Sequence, residues 1–327
     1  MKKNMFVRHI TLFTAVMSLF LVTSCESVKY SSTKVQTLIP PARIINLPDT
    51  VNIAVAAVLN TYYLFDTGKS LDSLAITGVA MAIKNNLEKS PKYSAYIFPV
   101  YTINSEEKGL TEENIRDIKE NSGANYLIAV EEFKTSFNRQ RVRTARENCV
   151  RIVTPHSLTV KIYDIDKFTV IDEREIIDTV TFQVDAYAWE TEDELIDRLP
   201  DDKASVAYLV KEVAKSYAEE ISPFWKEETR FYYIADNLVR AEYHIDGGDW
   251  AKAMDVWMKY VNDENRDLAA ISCFNMAVGC EMLGEYELAL KWMDNVKRKN
   301  VIYYWEEYKN MLEKRIVDKA IIDSLMN

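Results

Sequence analysis

The chain has 327 residues, of which 48% are hydrophobic and 28% charged, and it contains 8 glycines and 8 prolines. This composition excludes collagen-like and loop-rich chains, and the length favours two domains, each with a hydrophobic core. An excess of 50 acidic over 40 basic residues gives a formal net charge of −10, which argues against nucleic acid as a partner because phosphate binding depends on clustered Lys and Arg.

A basic segment and then an apolar segment open the chain. Lys2, Lys3 and Arg8 precede an apolar run over residues 10–22. This order, followed by small residues, is typical of a secretory signal peptide, and the apolar run is too short for a permanent membrane-spanning helix. We therefore predict a signal peptide over residues 1–24.

The four residues from Val22 to Cys25 resemble the lipobox of bacterial lipoproteins, which has an aliphatic residue, two small residues and a cysteine. The resemblance implies that Cys25 becomes the lipid-modified N-terminus; an ordinary secretory signal that contains a cysteine is the alternative. Loss of residues 1–24 removes three basic residues, so 40 falls to 37 against 50 acids. The acyl chains would have to supply the membrane attachment, since an acidic surface gains nothing from anionic headgroups.

The residues after Cys25 bear on location and organisation. Glu26 is not followed by a run of acids, whereas surface-exported lipoproteins often carry one; we expect an outer-membrane protein that faces the periplasm, with surface exposure left open. Residues 25–47 are rich in Ser, Thr and Val, which predicts a flexible tether of about 25 Å. The folded body is predicted as an α/β domain over 48–222 and a helical domain over 223–327.

Strands and helices alternate in the first half of this body. The apolar run over 52–59 predicts a buried strand, helical spacing follows over 70–87, and strand composition returns over 93–101. A second helix is predicted over 111–121 and a further strand over 124–130. This order indicates an α/β layer with helices packed on a sheet.

Longer strands follow. Alternating apolar residues over 158–162, a turn over 164–167 and a returning strand over 169–181 predict a β-hairpin, and an amphipathic helix over 204–221 closes the domain. The predicted fold class is α+β: an N-terminal α/β sandwich-like domain with a mixed sheet, followed by an all-α domain of helical repeats.

The link between the second predicted helix and its following strand resembles a known motif. Thr111 is expected to cap the start of this helix and Gly123 its end. The sequence Gly-Ala-Asn-Tyr-Leu-Ile over 123–128 is similar to a segment of envelope α/β domains, and Tyr163-Asp164 matches a later strand end. The similarity is to the curli-secretion lipoprotein and the amino-terminal domain of TolB; it covers roughly residues 50–220 and implies a fold, not a function.

A repeat lies in the C-terminal third. The segment Gly-Asp-Trp-Ala-Lys-Ala over 248–253 recurs 36 residues later as Gly-Glu-Tyr-Glu-Leu-Ala over 284–289. This pattern resembles the tetratricopeptide repeat, in which a glycine turns the chain between two antiparallel helices. In that family ligands usually lie against the first helix of each repeat, so the resemblance implies an inner partner-binding face of Leu238, Glu242, Ile245, Phe274, Val278 and Glu281. Burial of this face against the α/β domain is the alternative.

The rest of the chain extends the same pattern. Residues 301–325 predict one or two further helices that cap the repeats. A lipobox, an α/β domain, Ser222-Pro223, an aromatic-rich helix and two repeats follow one another, and this order resembles uncharacterised lipoproteins grouped under a domain of unknown function. The grouping implies no activity.

Motifs of catalysis are not found in the sequence. His156 and His244 have no partner at metal-ligand spacing, and phosphate-binding glycine loops and Gly-x-Ser-x-Gly are missing. Cys149, Cys273 and Cys280 form an odd set without a disulfide framework, so we expect small buried hydrophobes. The prediction is a protein that is not an enzyme, with no catalytic residues, no metal site and no cofactor.

A run of arginines stands out in an acidic chain. Its members are Arg139, Arg141, Arg143 and Arg146, with Arg151 close behind. Alternate spacing at the first three would place their guanidinium groups on one face of a strand. They either extend a solvated strand and pair with nearby acids, or form a docking patch for an anionic partner such as a phosphorylated headgroup or an acidic protein segment.

Two functions from different classes follow. The first is a non-enzymatic, lipid-anchored envelope protein that acts as a platform for a protein partner and binds no nucleic acid. The alternative is an envelope receptor for a small ligand or glycan held between the two domains, where Tyr187, Trp189 and Trp225 could stack on a ring.

Overall fold

The computed structural model describes residues 29–45, 47–48, 52–60, 70–104, 107, 109–144, 146–187, 189–299 and 304–326. The predicted signal peptide and Cys25 lie outside these residues. Contacts within the chain divide it into two compact units. We name residues 36–226 with 318–327 the sheet unit, and residues 1–35 with 227–317 the helical unit.

The described residues form nine strands and nine helices. The strands are β1 (Lys29–Ile39), β2 (Asn52–Asn60), β3 (Ser94–Ile97), β4 (Tyr101–Ile103), β5 (Tyr126–Thr135), β6 (Asn138–Arg143), β7 (Asn148–Asp164), β8 (Thr169–Asp185) and β9 (Phe224–Ile234). The helices are α1 (Ser70–Leu87), α2 (Glu112–Ser122), α3 (Glu192–Ile196), α4 (Asp202–Ile221), α5 (Arg240–Asp246), α6 (Trp250–Met258), α7 (Arg266–Met282), α8 (Tyr286–Lys299) and α9 (Trp305–Met326).

The large sheet combines parallel and antiparallel pairing. β2 pairs in parallel with β3, β4 and β5. β7 has 17 residues and pairs in antiparallel fashion with β5 and β6 along one edge and with β8 along the other. The hairpin that the alternating sequence predicts is confirmed as β7 and β8.

Helices cover both faces of this sheet. α1 and α4 pack on one face, where Ile53 of β2 and Leu209 of α4 belong to the same buried cluster. α2 packs on the other face, where Ala54 of β2 and Ile115 of α2 are buried together. Adjacent residues of β2 enter different cores because successive side chains of a strand point to opposite faces. The predicted α+β fold class is confirmed.

The ends of α2 follow the sequence signals closely. Thr111 and Asn114 form a capping box, in which each side chain accepts a hydrogen bond from the backbone N–H of the other residue. Gly123 ends the helix with a left-handed φ of 64° and donates to the carbonyl of Lys119. A residue with a Cβ adopts this conformation at a cost, so the glycine directs the chain into β5.

The predicted tether is partly wrong. Residues 29–39, within the tether expected over 25–47, form strand β1, which pairs with β9 in a two-stranded sheet. Ser31, Thr33, Val35 and Thr37 are more buried than the residues between them. β-Branched residues at alternate positions suit a strand, although a Ser- and Thr-rich composition is equally typical of a solvated linker.

The prediction of an aromatic-rich helix after Ser222-Pro223 is also wrong, because residues 224–234 form strand β9. Arg230 and Tyr232 are buried while Thr229 and Phe231 are more exposed, which is the two-residue period of a strand. Asn275 of α7 holds β9 in place, because its side chain accepts from the backbone N–H of Tyr233 and donates to the carbonyl of Tyr233, both at 2.7 Å.

The helical unit contains the repeat as two helical hairpins, α5 with α6 and α7 with α8. Trp257 of α6 and Met293 of α8, which occupy equivalent repeat positions, are both fully buried in one cluster. The turn glycines Gly248 and Gly284 have φ values of 73° and 78°. The repeat therefore has a physical basis in its turns and in its core.

We expect Gly248→Ala to destabilise the helical unit by about 1 kcal/mol, because a Cβ is disfavoured at positive φ. The neighbouring Gly247 has a φ of −84°, and a Cβ added there would make only ordinary van der Waals contacts. Gly247→Ala is therefore the matched control and should be neutral or slightly stabilising. Urea unfolding followed by far-UV circular dichroism compares the two midpoints. Equal midpoints would show that the turn imposes no strain.

Candidate functional site

The inner face that the repeat resemblance implies is largely closed. Leu238, Ile245, Phe274 and Val278 are buried in the core of the helical unit, and Glu242 is half-buried. These four apolar side chains therefore offer no surface to a partner in this structure, contrary to the prediction. The repeat pattern specifies which residues face inward, but it does not show that β9 and α9 fill the space in front of them.

Glu281, the sixth residue of that face, is a buried core carboxylate. Its two oxygens accept from Arg230 Nε at 2.8 and 2.9 Å, and one of them also accepts from the Tyr308 hydroxyl at 2.6 Å. Burial alone would lower the pKa of Arg230, but the carboxylates of Glu281 and Glu228 raise it above the ordinary value. These contacts compensate the loss of hydration that a buried ion pair incurs.

Arg230→Met should destabilise the helical unit by about 3–5 kcal/mol, because it leaves the Glu281 carboxylate buried without its cation. Lys252→Met removes an exposed lysine paired with Asp249 and is the control, with a nearly unchanged midpoint. Thermal unfolding measures both.

A double variant tests the same ion pair even if Arg230→Met alone fails to fold. In Arg230→Met/Glu281→Leu both charges are gone, and much of the lost stability should return. A double variant that is no more stable than Arg230→Met alone would contradict a role of the ion pair as a balanced unit.

The arginine run lies on β6 and in the turn that follows. Arg139 forms an ion pair with Asp202 at the start of α4. Arg141 donates to the Asn148 side chain and to the Cys149 carbonyl, each at 2.7 Å. Arg143 and Arg146 are exposed, and neither forms an ion pair among the described residues. The run therefore divides into two structural arginines and two that are accessible.

Two exposed aromatic rings follow the end of β8. Tyr187 and Trp189 are 61% and 79% exposed, and their rings stack with centroids 5.1 Å apart and planes at 5°. The turn that carries them is held by Glu190, whose side chain accepts from the Tyr187 backbone N–H at 2.7 Å and pairs with Arg198 at 3.0 Å. Tyr and Trp side chains are enriched at protein interfaces, so an exposed pair of these rings marks a candidate recognition surface.

The register of β7 brings the arginines and the aromatic rings to one end of the sheet. Asn148 begins β7, accepts from Arg141 on one side, and on the other exchanges hydrogen bonds with Ala186, through its side chain at 2.9 Å and its backbone carbonyl at 2.8 Å. We name Arg143, Arg146, Tyr187 and Trp189 the distal surface. Sequence reasoning identifies the four residues as two separate groups, and only the pairing of β6, β7 and β8 joins them.

The remaining reactive side chains are mostly buried. His156 lies 6.2 Å from Phe133 by ring centroids, and its Nδ1 is 3.2 Å from the Thr154 carbonyl oxygen. Cys149, Cys273 and Cys280 are buried, as expected, and form no disulfide among the described residues; burial raises the pKa of Cys280 to about 11. Within the described part of the chain, no group of three His, Cys, Asp or Glu residues could hold a metal ion, and no helix has the length and apolar character needed to cross a membrane.

The fold and the surface therefore define an α+β protein with an exposed arginine and aromatic surface at the end of its sheet. A model of the family described as Domain of unknown function (DUF8603) matches residues 58–233, more than half of the chain, so the chain belongs to this family. A second model, described as Domain of unknown function (DUF6340), matches residues 239–314. The expectation of a family of unknown function is confirmed. No curated protein matches the chain significantly.

Three solved structures are similar to about half of the chain. They are a minor lipoprotein from Acinetobacter baumannii (13% identity, 54% of this chain and 95% of that chain, TM-score 0.25), a protein from Helicobacter pylori described as a neuraminyllactose-binding hemagglutinin homologue (9%, 55% and 91%, 0.28), and hypothetical protein CT253 from Chlamydia trachomatis (12%, 51% and 97%, 0.22). With TM-scores below 0.5, these similarities establish neither a fold family nor a function for this chain.

Proposed function

We propose that this protein is a lipid-anchored, non-enzymatic binding protein of the cell envelope, and that its distal surface receives a protein partner. The observation that carries the proposal is the stacked pair of Tyr187 and Trp189, held in solvent by a hydrogen-bonded turn. Large aromatic side chains provide much of the binding energy of protein interfaces, and a pair that is already ordered loses little entropy when it binds.

Charge supports the choice of partner. Arg143 and Arg146 present exposed guanidinium groups at the same end of the sheet as the aromatic rings. Arginine is enriched at interfaces and forms bidentate hydrogen bonds with carboxylates. An extended, acidic protein segment with an apolar or aromatic side chain fits this surface, with the arginines taking its carboxylates and the rings taking its apolar residue.

The lipid anchor and the location rest on the sequence. The signal-peptide pattern and the lipobox at Cys25 support attachment to a membrane by acyl chains. The outer membrane, with the protein facing the periplasm, is the proposed location, because no run of acids follows Glu26. The absence of an enzymatic role is likewise part of the proposal, supported by the burial of His156 in an apolar and backbone environment.

The distal surface can be tested by photo-crosslinking in cells. With a crosslinking amino acid at the exposed position 193, the native chain should give a specific crosslinked band, and Tyr187→Ala/Trp189→Ala should reduce its yield about 30-fold, the effect of losing roughly 2 kcal/mol at an interface centre. Tyr243→Ala, which removes a ring that is 81% exposed on the helical unit, is the control and should leave the band intact.

If no specific band forms from position 193, or if the band survives the loss of both rings at an unchanged melting temperature, the distal surface is not the binding surface. Loss of the band supports the proposal only when the variant melts at the same temperature as the native chain, because a misfolded variant would also lose the band.

The anchor is tested separately. Cys25→Ser should prevent incorporation of a labelled fatty acid and move the protein from the membrane fraction to the soluble fraction, because one residue provides the attachment. Cys149→Ser removes a buried thiol and is the control, with label and membrane attachment retained. Fatty-acid label on the Cys25→Ser chain would contradict lipidation at this residue, and a density gradient of the native protein assigns the membrane.

A ligand receptor is the second candidate, favoured by one observation. Trp225, one of the three aromatic residues predicted to stack on a ring, is 54% exposed and lines a cleft within the sheet unit.

A further inference from the structure

A cleft opens between α1 and α4, on the sheet face that these helices cover. The helices approach closely at Gly78, where an added Cβ would lie 3.0 Å from a methyl carbon of Val210. Towards their C-terminal ends the helices leave a cavity of about 490 Å³. This volume lies in the range of ~300–1,000 Å³ that small-molecule sites occupy. The cavity is lined by Ala82, Asn85, Asn86, Lys89, Lys211, Lys215, Ala218, Glu219, Ser222, Phe224 and Trp225.

The charge of this cleft is opposite to that of the chain. Lys89, Lys211 and Lys215 line it, against one acid, Glu219. The acid is 3.8 Å from the Lys215 amine, and the Lys89 amine donates to Asn86 Oδ1 at 3.2 Å. Lys211 is exposed and forms no ion pair within the described ranges. Three cations against one anion leave an uncompensated positive charge, which attracts an anion.

The walls of the cleft offer a second kind of contact. The Trp225 indole is about half-exposed and Phe224 is half-buried beside it. An indole face packs against a flat apolar surface while its edge stays in water. Asn85 is exposed at the rim, and its amide carries both a donor and an acceptor for hydroxyl groups.

We propose that this cleft binds an anionic sugar, a saccharide unit that bears a carboxylate or a phosphate. The lysines bind the anionic group, since a lysine amine acts as a point charge for carboxylates and phosphates. Trp225 covers the apolar C–H face of the ring, and Asn85 binds a hydroxyl. A simple anion would need only the lysines, and a neutral sugar would not need three of them, so the combination favours a ligand with both features.

Lysines near helix C-termini also interact favourably with the helix dipole, and this role requires no ligand. Lys89 lies just after α1, whereas Lys211 and Lys215 are the tenth and fourteenth of the 20 residues of α4, whose last turn contains no basic residue. The dipole role predicts an effect of the lysines on stability and no binding of sugars. The two explanations therefore differ in a binding measurement.

Isothermal titration calorimetry on the detergent-solubilised, lipidated full chain tests the proposal. The probes are two anionic sugars, glucuronate and glucose 6-phosphate. Glucose, which has the sugar ring without the charge, and inorganic phosphate, which has the charge without the ring, are the two halves for comparison. At least one anionic sugar should bind at least tenfold more tightly than either half. Vesicles of phosphatidylcholine with and without phosphatidylinositol test a phosphorylated lipid headgroup as the ligand; binding to the inositol vesicles without binding of either free sugar would assign the site to a lipid and overturn the proposal.

Variants locate the binding. Lys211→Met/Lys215→Met should weaken the binding of the anionic sugars at least tenfold. Trp225→Ala should weaken the binding of both anionic sugars and leave the binding of inorganic phosphate unchanged. Lys203→Met changes an exposed lysine at the start of α4, outside the cleft, and is the matched control with unchanged affinity. Lys211→Arg keeps the charge and should retain most of the binding.

Three results would overturn the proposal: no binding of either anionic sugar at millimolar concentration, equal binding of inorganic phosphate alone, or affinity that the cleft variants leave unchanged. The proposal goes beyond the protein-binding role of the distal surface and does not depend on it. The cleft variants leave Tyr187 and Trp189 intact, so crosslinking from position 193 reports on one site and calorimetry on the other.

Discussion

The backbone pairing of β7 is the interaction on which the sheet unit depends. This strand bonds to β5 and β6 along one edge and to β8 along its whole length on the other. Leu158, Val160 and Ile162 place its second half in the core, while its first half extends to the end of the sheet. A shift of one residue would turn each of these side chains to the opposite face. The same ladder therefore determines both the core and the position of the distal surface.

Local signals in the sequence are enough to predict many of the elements. The Thr111 capping box, Gly123, the β7–β8 hairpin and the repeat glycines depend on residues within a few positions, or on a periodicity, and each lies where the sequence predicts it. β1 and β9 escape prediction because each strand is stabilised by a partner about 190 residues away. Neither strand has a turn signal that would indicate pairing, and their Ser/Thr-rich and aromatic-rich compositions also occur in linkers and helices.

The candidate site shows the same division. Alternate spacing correctly suggests a strand for the arginine run, and the aromatic residues are recognisable as candidates for stacking. What the spacing does not give is the partner of each side chain: Asp202 for Arg139, Asn148 for Arg141, and Arg230 for Glu281. Glu281 is the clearest case, because a repeat resemblance places it on an open groove, whereas a cation from β9 makes it part of the core. Partners distant in sequence decide whether a charge is structural or accessible.

The three buried thiols provide a built-in measure of opening. Cys149 lies in the sheet unit, and Cys273 and Cys280 lie in the helical unit. A thiol reagent reaches a buried cysteine only when the surrounding structure opens, so the rate at which each cysteine is labelled reports the opening of its own unit. The native chain thus carries a separate reporter in each unit. The order in which the cysteines are modified shows whether the two units unfold together or one after the other.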